Sequence, residues 1–157
     1  MEQNKQIGRE FIQMLSSKSK DIELFKATLK DFASESSEKR IAIAMSLLAI
    51  GADRSETTFY RNFVFSQLAL FVRTCGLRNN KDLERQLNDI IDDWIATLPD
   101  QDFHTAPCGA LLALGRVNRS IGLDKCDYVI KYYDKSEAGR RVRELRKDLE
   151  RLNPSEN

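Results

Sequence analysis

The sequence predicts an all-α fold of about eight antiparallel helices, and three observations support this prediction. Apolar residues recur at the three- and four-residue spacing of a helical face along most of the chain. Only three prolines and seven glycines occur in 157 residues, and no run alternates β-branched and polar residues as a strand does. The breaks between the apolar segments are short, so neighbouring helices reverse direction. We expect a superhelical stack of helix pairs, with a closed helical bundle as the alternative.

The first two helices are predicted to be amphipathic. Between Gln3 and Ser16, the residues Ile7, Phe11 and Leu15 fall on one stripe. The polar segment SSKSKD then interrupts the pattern. Apolar residues from Ile22 to Phe32 repeat at intervals of three and four and predict a second helix, which ends in the polar cluster SESSE.

The third and fourth helices form the most apolar stretch of the chain, Arg40–Gly76. Both are apolar on all sides, so each must be surrounded by other elements. Gly51 is the expected end of the third helix, and Asp53 or Ser55 is the expected N-cap of the fourth. Each run is too short and too interrupted by charge to span a bilayer. We therefore expect this hairpin to be the core, with its aromatic residues packed inside: Phe59, Phe63, Phe65 and Phe71.

The fifth helix has the most regular pattern. Asn79-Asn80 precedes it as an N-cap, and Pro99 closes it. Its outer face is acidic, because seven acidic and two basic residues lie between Lys81 and Asp102. Its apolar positions match one helical face: Leu83, Leu87, Ile90, Ile91, Trp94 and Ile95.

Three more helices complete the prediction. Thr105 and Pro107 open the sixth, and the seventh runs from about Leu123 to Lys135. Ser136 caps the eighth, whose apolar residues form a narrow heptad-type seam: Ala138, Val142, Leu145, Leu149 and Leu152. We expect one domain over residues 1–153 and a disordered tail over residues 154–157.

Composition limits the functions open to this chain. The net charge of +1 provides no overall field for nucleic acid or an anionic membrane, so any such binding must be local. Three cysteines without paired spacing are typical of free thiols in a reducing compartment, and the N-terminus lacks the apolar region of a signal peptide. We therefore expect a cytoplasmic location, and no motif predicts a cofactor.

The segment Ala110–Ser136, ALLALGRVNRSIGLDKCDYVIKYYDKS, resembles a tetratricopeptide-like helix pair. Leu114-Gly115 stands where that family has its Leu-Gly, Gly122 matches the turn glycine, and two extra residues lie in the turn around Leu123–Asp127. KRIAIAMSLLAIG and GRRVRELRKDLERL are similar to first helices of HEAT repeats. The resemblance to α-helical repeats covers mainly residues 107–152 and implies a protein-binding scaffold without catalytic residues.

Two sets of residues suggest chemistry. His104 and Cys108, at i and i+4, are candidates for a base–thiolate pair or for two metal ligands, but they equally fit a loop histidine and a small buried apolar residue. Asp89 and Asp93 share a helical face, which is typical both of a magnesium site and of a solvated surface. We expect no catalytic or metal site.

The predicted partner-binding site is the basic eighth helix with the adjacent tyrosines. Six basic and three acidic residues lie between Gly139 and Arg151. The interpretations are a salt-bridged surface, a site for an acidic protein or for self-association, and a nucleic-acid site in an accessory subunit. The tyrosines fit an interface or the core. The candidate residues are Arg140, Arg141, Arg143, Arg146, Lys147, Tyr132 and Tyr133.

Overall fold

Eight α-helices account for most of the chain, as the sequence predicts. The computed structural model describes residues 2–18, 20–97, 107–133 and 135–151, and within these ranges it contains no strand. It is 84% helical. The helices are α1 (Glu2–Lys18), α2 (Ile22–Ala33), α3 (Ser37–Ala52), α4 (Thr58–Thr74), α5 (Lys81–Thr97), α6 (Cys108–Val117), α7 (Arg119–Tyr132) and α8 (Glu137–Glu150).

The helices pack as four successive pairs arranged in two layers. Each odd-numbered helix packs against the even-numbered helix that follows it. Along the stack, α1, α3 and α5 form an odd layer, and α2, α4, α6 and α8 form an even layer. Substantial packing joins only helices that are neighbours or next neighbours in the sequence, so the described helices form an open stack.

The stack is centred on α4 and α6 rather than on the predicted α3–α4 hairpin. α6 packs against α4, α5, α7 and α8, and its contact with α4 is the most extensive in the molecule. This position explains its composition, because a helix with neighbours on most sides must be apolar on most sides. Six apolar residues of α4 are buried as expected, but Phe59 and Phe63 are exposed, so the prediction that the whole hairpin lies in the core is wrong.

The boundary between α3 and α4 differs from the prediction. Gly51 lies inside α3, one residue before the end of this helix at Ala52. A Cβ at Gly51 would lie 2.6 Å from the ring of Phe65. The N-cap of α4 is Thr57, whose hydroxyl accepts from the Tyr60 N–H at 3.2 Å. Asp53 instead ends α3 and forms an ion pair with Lys5 of α1 at 2.6 Å.

The boundary between α6 and α7 also differs. One residue, Asn118, separates the two helices, and its Oδ1 accepts from the Ile121 N–H at 3.3 Å. The seventh helix therefore begins at Arg119 rather than near Leu123. Gly122 is not a turn glycine, because it lies within α7. A Cβ there would lie 2.6 Å from the Gly115 Cα, where the backbones of α6 and α7 cross.

Other predicted boundaries are confirmed. The Leu83 N–H donates to Oδ1 of Asn80 at 3.0 Å at the start of α5, and the Gly139 N–H donates to Oγ of Ser136 at 3.1 Å at the start of α8. Pro107 precedes the first turn of α6. The predictions for Pro99, His104, Thr105, Leu152 and the tail over residues 154–157 fall outside the described residues.

No helix among the described residues combines the length and the apolar character that crossing a membrane requires. The prediction of a single domain over residues 1–153 stays a prediction.

Candidate functional site

An apolar groove opens on the even layer, and we call it the even-layer groove. α6 forms its floor, and α4 and α8 form its walls. The groove encloses about 690 Å³. At its rim the Phe59 side chain is 85% exposed. The side chains that give the groove its character are Phe59, Phe63, Cys108, Leu112, Arg141 and Leu145.

The floor of the groove is held against α4 by Gly109. Its N–H donates to Oδ1 of Asn62 at 2.9 Å, and a Cβ at this position would lie 2.3 Å from the Asn62 carbonyl oxygen. Glycine alone permits this close approach of two helix backbones. The first turn of α6 thus lies directly on α4, while Cys108 and Leu112 line the groove.

Arg141 is the charged residue of the groove lining. It lies on α8, and its Nε donates to Glu137 at 3.4 Å. Glu137 is held more closely by Arg140, which donates from two nitrogens, and this bond lowers the pKa of the Glu137 carboxyl. The positive charge of Arg141 also acts on the Cys108 thiol on the floor of the groove, where it favours the thiolate and lowers the pKa.

The other predicted basic residues do not join Arg141 in the groove. Arg146 lies on a different flank of α8, where its Nε donates to Asp127 of α7 at 2.5 Å. Lys147 pairs with Glu144 at 3.3 Å, and Arg140 pairs with Glu137 as described. Arg143 also interacts within the chain. Arg140, Arg146 and Lys147 thus pair with neighbouring carboxylates, and the nucleic-acid alternative stays a prediction.

The predicted tyrosines lie apart from the groove. Tyr133 is partly buried and lines a second cleft of about 460 Å³ between α5 and α7. Lys125 spans this cleft and pairs with Asp92 at 2.5 Å. Tyr132 is exposed and its ring contacts that of Tyr128, with 4.6 Å between the centroids. The predicted site residues therefore fall on three surfaces. Arg141 lines the even-layer groove, the other basic residues lie on α8 outside it, and the tyrosines lie at the end of α7.

The cysteines carry protonated thiols at neutral pH. Burial raises the pKa of Cys75 and of Cys108 to about 11, and that of Cys126 to about 12. A protonated thiol is a poor nucleophile and a poor metal ligand. His104 lies outside the described residues, so its pairing with Cys108 stays untested. Within the described ranges, no group of three or more His, Cys, Asp or Glu side chains is arranged to hold a metal ion.

Of the acidic pair predicted on α5, Asp89 and Asp93, the second is engaged with a basic residue. Asp93 forms an exposed ion pair with Arg54 at 3.6 Å, and its neighbour Asp92 pairs with Lys125 across the second cleft. These contacts agree with the interpretation of this helix face as a solvated surface.

No family model matches this chain. The comparisons with curated proteins and with solved structures likewise give no match. A functional assignment therefore depends on the physical features of the groove.

The sequence carries one signal for the groove, the apolar character of α4 on all sides. A helix that is apolar on all sides needs partners on all sides, and none of the described helices covers α4 beside Phe59 and Phe63. An exposed apolar surface of this kind marks an interaction site more often than a structural defect. The sequence therefore shows that α4 is apolar on all sides, but it does not show which side of α4 other helices leave uncovered.

Proposed function

We propose that this chain is a non-catalytic protein-binding domain that holds a segment of a partner protein in the even-layer groove. The observation that carries this proposal is the exposed Phe59 beside an apolar floor. Exposing a phenylalanine to water is unfavourable, and covering it recovers roughly 25 cal/mol for each Å² of apolar surface removed from water. A partner that covers Phe59, Phe63 and Leu112 gains this free energy.

The architecture supports the same proposal. A stack of helix pairs presents an extended surface along one layer, which is how α-helical repeat proteins bind their partners. We propose that the chain belongs to this general class, related to tetratricopeptide-like or HEAT-like repeats. We also propose a cytoplasmic location, which the three free cysteines support.

We propose a smaller basic site on α8 than the sequence predicts. Arg141 is the basic residue that lines it, so we propose that a partner with acidic character contacts Arg141 rather than the whole basic face. Arg146 then joins α8 to α7 through Asp127, whereas Arg140 and Lys147 pair with carboxylates of α8 itself.

Selection of peptides from a random display library tests this proposal. The immobilised wild-type chain is expected to enrich peptides whose affinity falls at least about tenfold when Phe59 is replaced by serine, since an interface anchor of this kind contributes above 1.4 kcal/mol. Ile22→Ser is the matched control, because Ile22 is also an exposed apolar residue, at 65%, but lies on α2. It should leave binding unchanged. A library that yields no binder, or binders that are insensitive to Phe59→Ser, would overturn the proposal.

A further inference from the structure

The groove has the shape of a helix position that none of the described helices occupies. α4 and α8 both pack on α6, but they do not pack substantially on each other, so the space above α6 lies between two helical walls. Along α4 the lining residues Phe59, Phe63 and Ser66 follow helical spacing. This stretch of α4 rises by roughly 10 Å at 1.5 Å per residue. That length corresponds to about two turns of a packed helix.

The hydrogen-bonding character of the lining favours a helical occupant over an extended one. All three walls are α-helices, whose internal N–H and C=O groups bond to each other, so the groove offers no strand edge for an extended peptide. Two polar side chains of the lining also have partners in the chain, because Asn62 accepts from Gly109 and the Ser66 hydroxyl donates to the Asn62 carbonyl. An extended segment would bury backbone groups without partners, whereas a helix satisfies its own.

The charge of the groove specifies one further feature of the occupant. Arg141 stands among uncharged lining residues, and its contact with Glu137 is long, at 3.4 Å. Glu137 is already held by Arg140 through two donors. A carboxylate on the occupant can therefore accept a charge-assisted hydrogen bond from Arg141 without displacing a strong ion pair.

We propose that the even-layer groove takes an amphipathic α-helix of a partner protein, with about two apolar turns on Phe59, Leu112 and Leu145 and an Asp or Glu carboxylate on Arg141. This inference rests on the proposed function, since it assumes that the groove binds a partner segment. It identifies the class of that partner by its secondary structure and its charge.

The test uses synthetic peptides of about 18 residues that carry the consensus recovered from the random library, a length that permits an isolated helix. Proline in the middle of the peptide should weaken binding by at least about tenfold, because it breaks a helix. Proline at the first position is the control and should be tolerated. Circular dichroism should show the peptide gaining helix in the complex.

A charge exchange tests the contact with Arg141. Arg141→Glu should weaken binding of the peptide by about tenfold, and replacing the acidic residue of the peptide by arginine should restore it. Lys147→Glu makes the same charge change on the same helix but outside the groove, and it should leave affinity unchanged.

The outcomes separate the inference from the proposed function. Binding that needs Phe59 but tolerates central proline, or is indifferent to the charge exchange, overturns the amphipathic helix and leaves the groove as a binding site. A wild-type chain that sediments as a Phe59-dependent dimer, with no peptide competing, overturns it in favour of a second copy of the chain. Absence of any Phe59-dependent peptide removes the proposed function itself.

Discussion

At the scale of single residues, we expect Phe59 to serve binding and Phe65 to serve folding. Both belong to α4, but Phe59 is 85% exposed and Phe65 is 0% exposed. Phe65→Ala should lower the free energy of unfolding by about 3–5 kcal/mol, because it leaves a cavity beside Gly51. Phe59→Ala should change it by less than about 0.5 kcal/mol. Urea unfolding followed by circular dichroism measures both values, and a large loss for Phe59→Ala would show that its role is structural.

The Cys108 thiol reports on the electrostatics of the groove. Burial raises its pKa from the ordinary 9.0 to about 11, and the Arg141 charge partly opposes this rise. Alkylation by iodoacetamide requires the thiolate, so its rate should increase about tenfold per pH unit between roughly pH 7 and 10. Arg141→Gln removes a charge that favours the thiolate, which raises the pKa further and slows the reaction. Mass spectrometry of the labelled peptide follows the rate, and faster labelling in Arg141→Gln would contradict the geometry described for Arg141.

Residue burial was largely predictable from the sequence, but the roles of glycines were not. The apolar face of α5 was predicted from spacing alone, and Leu83, Leu87 and Ile91 are all buried. Gly51 and Gly122 are typical stop or turn residues in sequence, yet both lie within helices. Each is required by a close approach to another element, and a local sequence pattern holds no information about such contacts.

At the scale of helices, the caps carry the local information. Asn118 is the single residue between α6 and α7, where Oδ1 accepts from the Ile121 N–H and Nδ2 donates to Glu84 at 2.9 Å. Asn118→Ala removes both bonds and should lower the free energy of unfolding by about 1 kcal/mol.

Asn118→Ser is the matched variant, since serine keeps a side-chain acceptor for the cap but loses the bond to Glu84. Urea unfolding should place its stability between those of the wild type and Asn118→Ala. Equal stability of the alanine and serine variants would show that the cap contributes nothing.

The predicted caps differ in a physically clear way. Asn80 and Ser136 were identified correctly because each bonds to a backbone N–H three residues later, which depends on local spacing alone. Aspartate is common at N-caps, but Asp53 instead pairs with Lys5, which lies far away in the sequence. The hydrogen bonds to Lys5 and Ser55 hold the pKa of the Asp53 carboxyl below its ordinary range.

At the scale of the whole molecule, helical periodicity and short connections were sufficient to predict an all-α stack. They were not sufficient to locate the groove, which depends on how far α4 and α8 stand apart on α6. That distance is set by contacts such as Gly109 on Asn62 and the Leu149 side chain over Gly115. Arg141 reaches the groove and Arg146 does not, because the five-residue step between them turns through about 140° around α8.

The most direct test of the proposed site is an NMR titration of the ¹⁵N-labelled chain with the tightest peptide recovered from the random library. Amide shifts should concentrate in residues 58–66, 108–112 and 141–145, and they should disappear in Phe59→Ser. Shifts confined to the cleft between α5 and α7, or to the outer basic face of α8, would contradict it.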